Sequence, residues 1–519
     1  MTDKKFIDFM TSEENSKEVE NIFSDFKKHF YDVKPGYDHG LLLTNIENGK
    51  TWMSSTNNLE QRENDLKGYY LKKRELWYEP WVITFGDLGD DILDKIQFDR
   101  FIDIGKIPNK KFIDMTIPKN QIENVKEMFI KLTAEYIKTK DASKGKEIRQ
   151  LIDDDIKWAL SQNNPEPLEA NMHVYSNNLS SIEPSLNLIS SNKIVLVDAI
   201  NHALEEEMNL NDKMVIYGQD IADPKGGVFT ATKGLSSKYG DERVFNAPLA
   251  ESSIIGTAIG LAVAGYKPVV EIQFADYIWT AMMQIRNEVV TMRYRSNNIW
   301  NCPLVIRAPV GGYINGGIYH SQSIDGFFLH MPGIYIAYPS NAADAKGLLK
   351  MACRMQDPVI FMEHKGLYRQ GYASTAEPSK DYVLPFGKAK IISSGDELSI
   401  ITWGAMVQKC IEAIKSLNLI DGQVELIDLR TLNPLDLDLI KTSIKKTGKA
   451  LVVHEDNITN GPGAEISALI SEECFEFLDG PIRRVGSKDS PIPFNKILED
   501  EVLPQTYDIS TKIMELLEY

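Results

Sequence analysis

From about residue 193 the chain alternates short apolar runs with stretches of helical period. DKMVIYGQD (212–220), KPVVEIQF (267–274), PLVIRAP (303–309), GIYIAYPS (333–340) and DPVIFMEH (357–364) are of strand length. Between them, IVLVDAINHALEEEM (194–208), IIGTAIGLAVA (254–264), YIWTAMMQIRNEVVTMRYR (277–295) and NAADAKGLLKMACRM (341–355) read as helices. This alternation predicts a parallel sheet with both faces covered, and the near-continuous apolarity of the strands agrees. In such sheets working groups collect at the carboxyl ends of strands. There lie Gln219-Asp220, Asp276-Tyr277 and the HSQS at 320–323. A break at 371–388 precedes a second alternating unit. Its strands and helices run through ELSIITWG (397–404), AMVQKCIEAIKSL (405–417), QVELIDLRTLNPLD (423–436), KALVVHED (449–456), GPGAEISALISEE (461–473) and PIRRVGS (481–487). They predict an open α/β sheet of roughly five strands.

The first 140 residues have a different texture. Phe6, Phe9, Val19, Ile22, Phe23, Phe26 and Phe30 recur at helical spacing. LLLTNIENGKTWMSS (41–55) carries an Asn48-Gly49 hairpin signal, and WYEPWVITFGDLGDDI (77–92) reads as a strand entering a turn. FDRFIDIG (98–105) and KFIDMTI (111–117) alternate like half-buried strands, and 123–137 is an amphipathic helix. The chain is thus divided into a small α+β domain (1–140), a helical connector and linker (141–192), and two α/β domains (193–375 and 385–519). The connector holds a helix at 147–162 and an Asn/Ser/Pro-rich tail.

Composition narrows the function. A net charge of −17 argues against a nucleic-acid surface, which needs clustered Lys and Arg. The four cysteines stand far apart, with no zinc or disulfide spacing. No run approaches the length of a membrane span and the charged N-terminus has no signal-peptide core, so the cytoplasm is the expected compartment.

Several polar features have bland readings. Asp87, Asp90 and Asp91 invite a metal site, but with no His or further spaced ligand beside them they read as a solvated turn; Glu205-Glu206-Glu207 reads as a solvated helix face, and Met282, Met283, Ile285, Val289 and Met292 as a core stripe. His454-Glu455-Asp456 with Asn460-Gly461-Pro462-Gly463 has the look of an anion-binding loop without a P-loop lysine. Two residues invite chemistry. Glu251, between the Pro248 turn and an apolar helix, is either a helix-terminus acid or an acid that shares a proton with a nitrogen base. His320 follows a glycine-rich loop, VGGYINGG (310–317), where it either bonds local backbone or exchanges protons near neutral pH.

Long ordered motifs bear on that choice. VIYGQDIADPKGGVFTATKGLSSKYGDERVFNAPLAE, EIQFADYIWTAMMQIRNE, GIYHSQS, and IDLRTLNPLD before VVHEDN run from 215 to 457. From Ile194 onward the chain resembles the β subunits of thiamine-diphosphate-dependent 2-oxo acid dehydrogenases, the E1 component. EIQFADYI, with RYRS and NCPLVIRAP, is most similar to the branched-chain members; pyruvate and acetoin types are alternatives.

The resemblance implies a transketolase-like pyrimidine-binding domain followed by a transketolase C-terminal-like domain. It makes Glu251 the acid that bonds N1′ of the aminopyrimidine, and His320 the histidine beside the reactive carbon. Tyr277 is implied to pack on the pyrimidine, with Leu249 and Gln273 lining the pocket. Gln219 stands where GED is commoner than GQD. A potassium site built from carbonyls near Leu304, Val305, Ala352 and Asp357 is implied, although Met355 replaces an aspartate of branched-chain relatives.

The resemblance also implies partners: a 2-oxo acid, a lipoyl-bearing E2, and an α-type chain in an α2β2 assembly. That α chain would carry Mg²⁺ and the diphosphate, because the GDG-plus-Asn motif for Mg²⁺ is missing here and FGDLGDD (85–91) is only a superficial cousin. A non-catalytic scaffold built on the same fold is the competing expectation.

Overall fold

The computed structural model describes residues 183–519 without a break, residues 167–176, single positions between 150 and 161, and three short strands before them. The chain forms two units, Met1–Pro165 and Glu166–Tyr519. In the first, β1 (Leu41–Asn45) pairs antiparallel with β2 (Thr51–Met53) and β3 (Trp81–Phe85), in the order β2-β1-β3. The register Leu42↔Met53 closes the hairpin expected at Asn48-Gly49. The expected helix at 123–137, the strands at 98–105 and 111–117, the phenylalanine-rich helical stretch and Asp87, Asp90 and Asp91 lie outside the described residues.

The second unit is α/β, built on two sheets and a small ribbon. The ribbon pairs β4 (Leu188–Ile194) with β11 (Thr375–Pro378). The larger sheet contains β5 (Met214–Gly218), β6 (Val244–Asn246), β7 (Lys267–Glu271), β8 (Val305–Val310), β9 (Tyr335–Ala337), β10 (Val359–His364) and β15 (Thr431–Asn433). Its order is β15-β9-β10-β8-β7-β5-β6, and every pair is parallel except β15 with β9. The smaller sheet orders β12 (Lys390–Ser393), β14 (Val424–Asp428), β13 (Leu398–Thr402), β16 (Ala450–Asn457) and β17 (Arg483–Ser487), matching the expected open sheet.

The strand period of two divides the apolar residues between two cores. Val269, Val305 and Ile400 enter one; Val270, Ile306 and Ile401 enter the other. Helix α1 (Leu196–Leu210) covers one face with Leu196, Ile200, Ala203, Leu204 and Met208. Helix α2 (Glu251–Val263) buries Ile254, Ile255, Ala258 and Ala262 against the other core.

Three sequence expectations change. The long helix at 277–295 is broken into a 3₁₀ segment Ala275–Ala281, a turn of α-helix, a π segment Ile285–Val289 and a last turn Met292–Arg295. In consequence Met283 faces solvent while Ile285, Val289 and Met292 stay buried. The acidic run in α1 is no solvated face. It meets α4 (Ala342–Arg354), which follows the short helix α3 (Asp325–Leu329). Glu206 bonds Lys346 and Lys350, both at 2.7 Å, and Glu207 takes Arg354 at 2.7 Å. Finally, 423–436 is two strands, because the chain turns at Arg430 (φ 60°). The turn is held by Arg430 itself, whose guanidinium forks onto Asp344 at 3.0 and 3.1 Å and reaches Glu183 at 2.9 Å. Beyond it β15 leaves its neighbour β14 and joins β9 of the other sheet.

Candidate active site

The carboxyl ends of β5, β6, β7, β8 and β10 converge on one polar region. β5 delivers Gln219 and Asp220. After β6, the Pro248 turn sets Glu251 as the first residue of α2, where the free N–H groups and the helix dipole favour a carboxylate. Glu251 is half-buried, and each of its oxygens accepts one bond from a neutral donor. Gln219 Nε2 lies 3.0 Å from Oε1, and Thr280 Oγ1 lies 3.2 Å from Oε2. The Oε1 of Gln219 is buried and has no hydrogen-bond partner among the described residues.

Beyond β7 the 3₁₀ turn brings Tyr277 round to His320, with its OH 2.8 Å from Nε2. Phe274 meets the imidazole edge-on, with centroids 4.6 Å apart at 90°. Burial, with the nearby Asp276 and Glu251 carboxylates, pushes the Tyr277 phenol above its ordinary value. The phenol therefore stays protonated and can donate to Nε2 of His320. Asp276, also raised by burial, accepts from Gln322 N at 3.2 Å, and its Oδ2 is unpartnered among the described residues.

Glu251, Tyr277 and His320 thus share one locality, linked through Thr280 and the 275–281 turn. Gln273 is tied at its floor to Asp220 Oδ2 (3.1 Å) and Gln219 O (3.4 Å). Leu249, by contrast, is 83% exposed. Thr280 and Phe274 are not selected by the sequence, whereas Gln219, which the GQD motif singles out, does meet Glu251. Only the 3₁₀ turn brings Thr280 to Glu251, and no periodicity announces it.

A buried layer beneath supports these loops. Arg307 of β8 bonds Glu363 of β10 through Nε (2.7 Å) and Nη2 (2.8 Å), and Glu271 of β7 through Nη1 (2.7 Å). Glu455 of β16 accepts from Gly312 N at 2.6 Å and pairs with His364 Nε2 at 2.6 Å, tying the glycine loop to the second sheet. The GPG stretch proves to be packing space. Gly461, Gly463 and Gly486 close on the His454 ring, which stacks on Trp403 at 5.7 Å and 4°. Asp456 is spent on Gly326 N at 2.9 Å.

The groups read as a potassium site lie at the opposite, amino-terminal ends of the strands. The Leu304 carbonyl accepts from Val359 N at 2.9 Å. Asp357 is engaged by Arg293 Nε (2.6 Å) and by Ser176 N (2.8 Å) and Oγ (2.6 Å). Val305 opens β8, and Ala352 sits in the last turn of α4. Among the described residues, no group of three or more His, Cys, Asp or Glu side chains could hold a metal ion. No helix among them is long and apolar enough to cross a membrane.

Residues 192–370 match the model of the transketolase pyrimidine-binding domain, and 387–509 that of the transketolase C-terminal domain. The 2-oxoisovalerate dehydrogenase subunit β of Bacillus subtilis is 44% identical over 324 residues, spanning 62% of this chain and 98% of that protein. The chain belongs to the family of 2-oxo acid dehydrogenase E1 β subunits. The pyruvate dehydrogenase E1 component subunit β of Staphylococcus aureus is 39% identical over 327 residues, covering 63% of this chain and 99% of that one. The E1 β fold is also seen in the inactive β4 tetramer of a split-gene transketolase, at TM-score 0.51 and 24% identity over 63% of this chain. Membership of this oxidoreductase family implies thiamine diphosphate as the cofactor.

Proposed function

We propose that this chain supplies the pyrimidine half of a thiamine diphosphate site in a branched-chain 2-oxo acid dehydrogenase. A separate α-type chain would hold Mg²⁺ and the diphosphate, in an α2β2 enzyme that decarboxylates the 2-oxo acid and acylates a lipoyl group on E2. The observation that carries this reading is that Glu251, bonded by Gln219 and Thr280, shares one locality with the Tyr277–His320 pair. A half-used carboxylate beside the unpartnered Gln219 Oε1 suits a ligand that brings N–H groups, as an aminopyrimidine does. The residues present therefore fit the group.

When bound, the cofactor supplies the electron sink that decarboxylation of a 2-oxo acid requires. The chain does the rest. Glu251, held in place by Gln219 and Thr280, keeps a proton at N1′. Tyr277 packs on the pyrimidine and orients His320, whose Nδ1 hands protons to the reacting carbon or the lipoyl sulfur. Leu249, being exposed, completes the pocket only against the α chain. The choice of a branched-chain substrate rests on the EIQFADYI, RYRS and NCPLVIRAP phrases and on the similarity to the 2-oxoisovalerate enzyme.

The test is reconstitution. Alone, with Mg²⁺ and thiamine diphosphate, the chain is expected to show no 2-oxo-acid-dependent dye reduction; adding the α chain restores it. Glu251→Gln in the reconstituted enzyme lowers kcat about 10²–10⁴-fold, the usual worth of a positioned acid. Turnover by the chain alone would sink the divided site. An unchanged rate in Glu251→Gln would favour a scaffold. A higher kcat/KM for pyruvate than for 2-oxoisovalerate would overturn the branched-chain assignment.

A further inference from the structure

At the amino-terminal ends of the strands, Lys267 opens β7 with only 5% of its surface exposed. Its Nζ donates to the carbonyl of Met355 at 2.9 Å. Met355 is the cap that ends α4, so the ammonium sits at a helix C-terminus, where the unsatisfied carbonyls favour positive charge. Lys267 lines one polar pocket with Pro303, Cys353, Met355 and Gln356. These are the two chain segments to which the family resemblance assigns a potassium ion.

The potassium ion does not fit them. A second monovalent cation would share the turn with a buried ammonium, and like charges taken out of water repel strongly. The neighbouring carboxylates do not offset this, since Asp357 is already paired with Arg293 at 2.6 Å and Glu207, in the same pocket, with Arg354 at 2.7 Å. The Leu304 carbonyl already accepts from the Val359 N–H, which leaves it one lone pair.

We infer that Lys267 is a built-in monovalent cation for the turn between α4 and β10, and that this chain takes no potassium there. The inference is independent of the role of Glu251. An ammonium group on a strand side chain does the work of the ion, with the added advantage that it cannot dissociate.

The experiment compares melting of the full-length chain in potassium, sodium and choline chloride at one ionic strength. The wild type is expected to melt at the same temperature in all three. Lys267→Ala, which leaves room for an ion, melts lower in choline and recovers part of the loss in potassium or ammonium. A wild type that melts higher in potassium than in choline overturns the inference. So does a rubidium anomalous peak beside the Met355 carbonyl in wild-type crystals, or an equal loss for Lys267→Ala in every salt. The two wild-type measurements decide the matter even if the variant does not fold.

Discussion

Replacing Arg307 by methionine tests the charged layer under the active-site loops. Arg307 is fully buried, and so are the two carboxylates it joins, with Glu271 3% and Glu363 0% exposed. The guanidinium gives three bonds of 2.7, 2.7 and 2.8 Å. Methionine fills much of the same space, so the loss is electrostatic rather than steric. Removing one partner of such a cluster leaves uncompensated charge and costs about 3–5 kcal/mol.

The pH dependence is the sharper signature. Burial already pushes Glu271 above its ordinary value, with Arg307 opposing the shift. Without Arg307 the Glu271 carboxyl rises further above its unfolded value. The folded variant then holds protons that the unfolded chain releases, so its stability falls as pH rises through and beyond the usual carboxyl range. Each unit of further rise is worth about 1.4 kcal/mol. Urea unfolding should therefore show a larger deficit at pH 8 than at pH 5. Adding Glu271→Gln and Glu363→Gln should return part of the lost stability at pH 8. A deficit below about 1 kcal/mol, or one that is equal at both pH values, would refute this account of the layer.

Two further outcomes are expected. Burial, aided by the charge of Arg484, pushes His454 down to about 4; unfolding takes up its proton first, so stability is lost as pH falls from about 6.5 to about 4, by up to about 3 kcal/mol. His454→Gln should flatten that part of the melting-temperature profile, and an unchanged slope would contradict the assignment. Gly311 has φ 87°, and a Cβ there would lie 2.2 Å from His364 Nε2, so Gly311→Ala must break the His364–Glu455 pair. Its cost is about 3 kcal/mol or more, and melting within about 2 °C of the wild type would show that the loop can yield.

The fold of 193–519 was readable because buried parallel strands leave unbroken apolar runs between amphipathic helices, and MVIYG, VIRAPV and VIFMEH could hardly be anything else. What escaped was pairing across distance. The Glu206–Glu207 run has the same composition whether it faces water or the cations of α4, which lie some 140 positions onward. TLN reads as a continuation of the preceding strand because nothing in a single-residue propensity reports that Arg430 will fork onto Asp344 and turn the chain. Glu251 stood out because an acid between a Pro turn and a Gly/Ala-rich helix is unusual. Thr280 did not, since its role depends on a 3₁₀ turn that the apolar periodicity of 277–295 conceals. Lys267 was hidden likewise: at the head of KPVVEIQF it passes for an ordinary solvent-facing strand end.

The departure of β15 from its own sheet has a consequence for how this body comes apart. Thr431 and Asn433 lie beside Ala337 and Ile336, the Arg430 carbonyl accepts from Tyr338 N at 2.9 Å, and Asn433 Nδ2 reaches the Ile334 carbonyl at 2.7 Å. The later half of the polypeptide is thereby laced into the earlier one by backbone bonds that do not pass through the segment joining them. A protease that nicked the connecting stretch at 371–388 would leave a cut chain still holding its shape. The two halves would separate only when β15 was pulled from the edge of β9 and the bonds of Glu455, Asp456 and Arg430 to the earlier half were also broken, so they act as interlocked pieces rather than beads on a string.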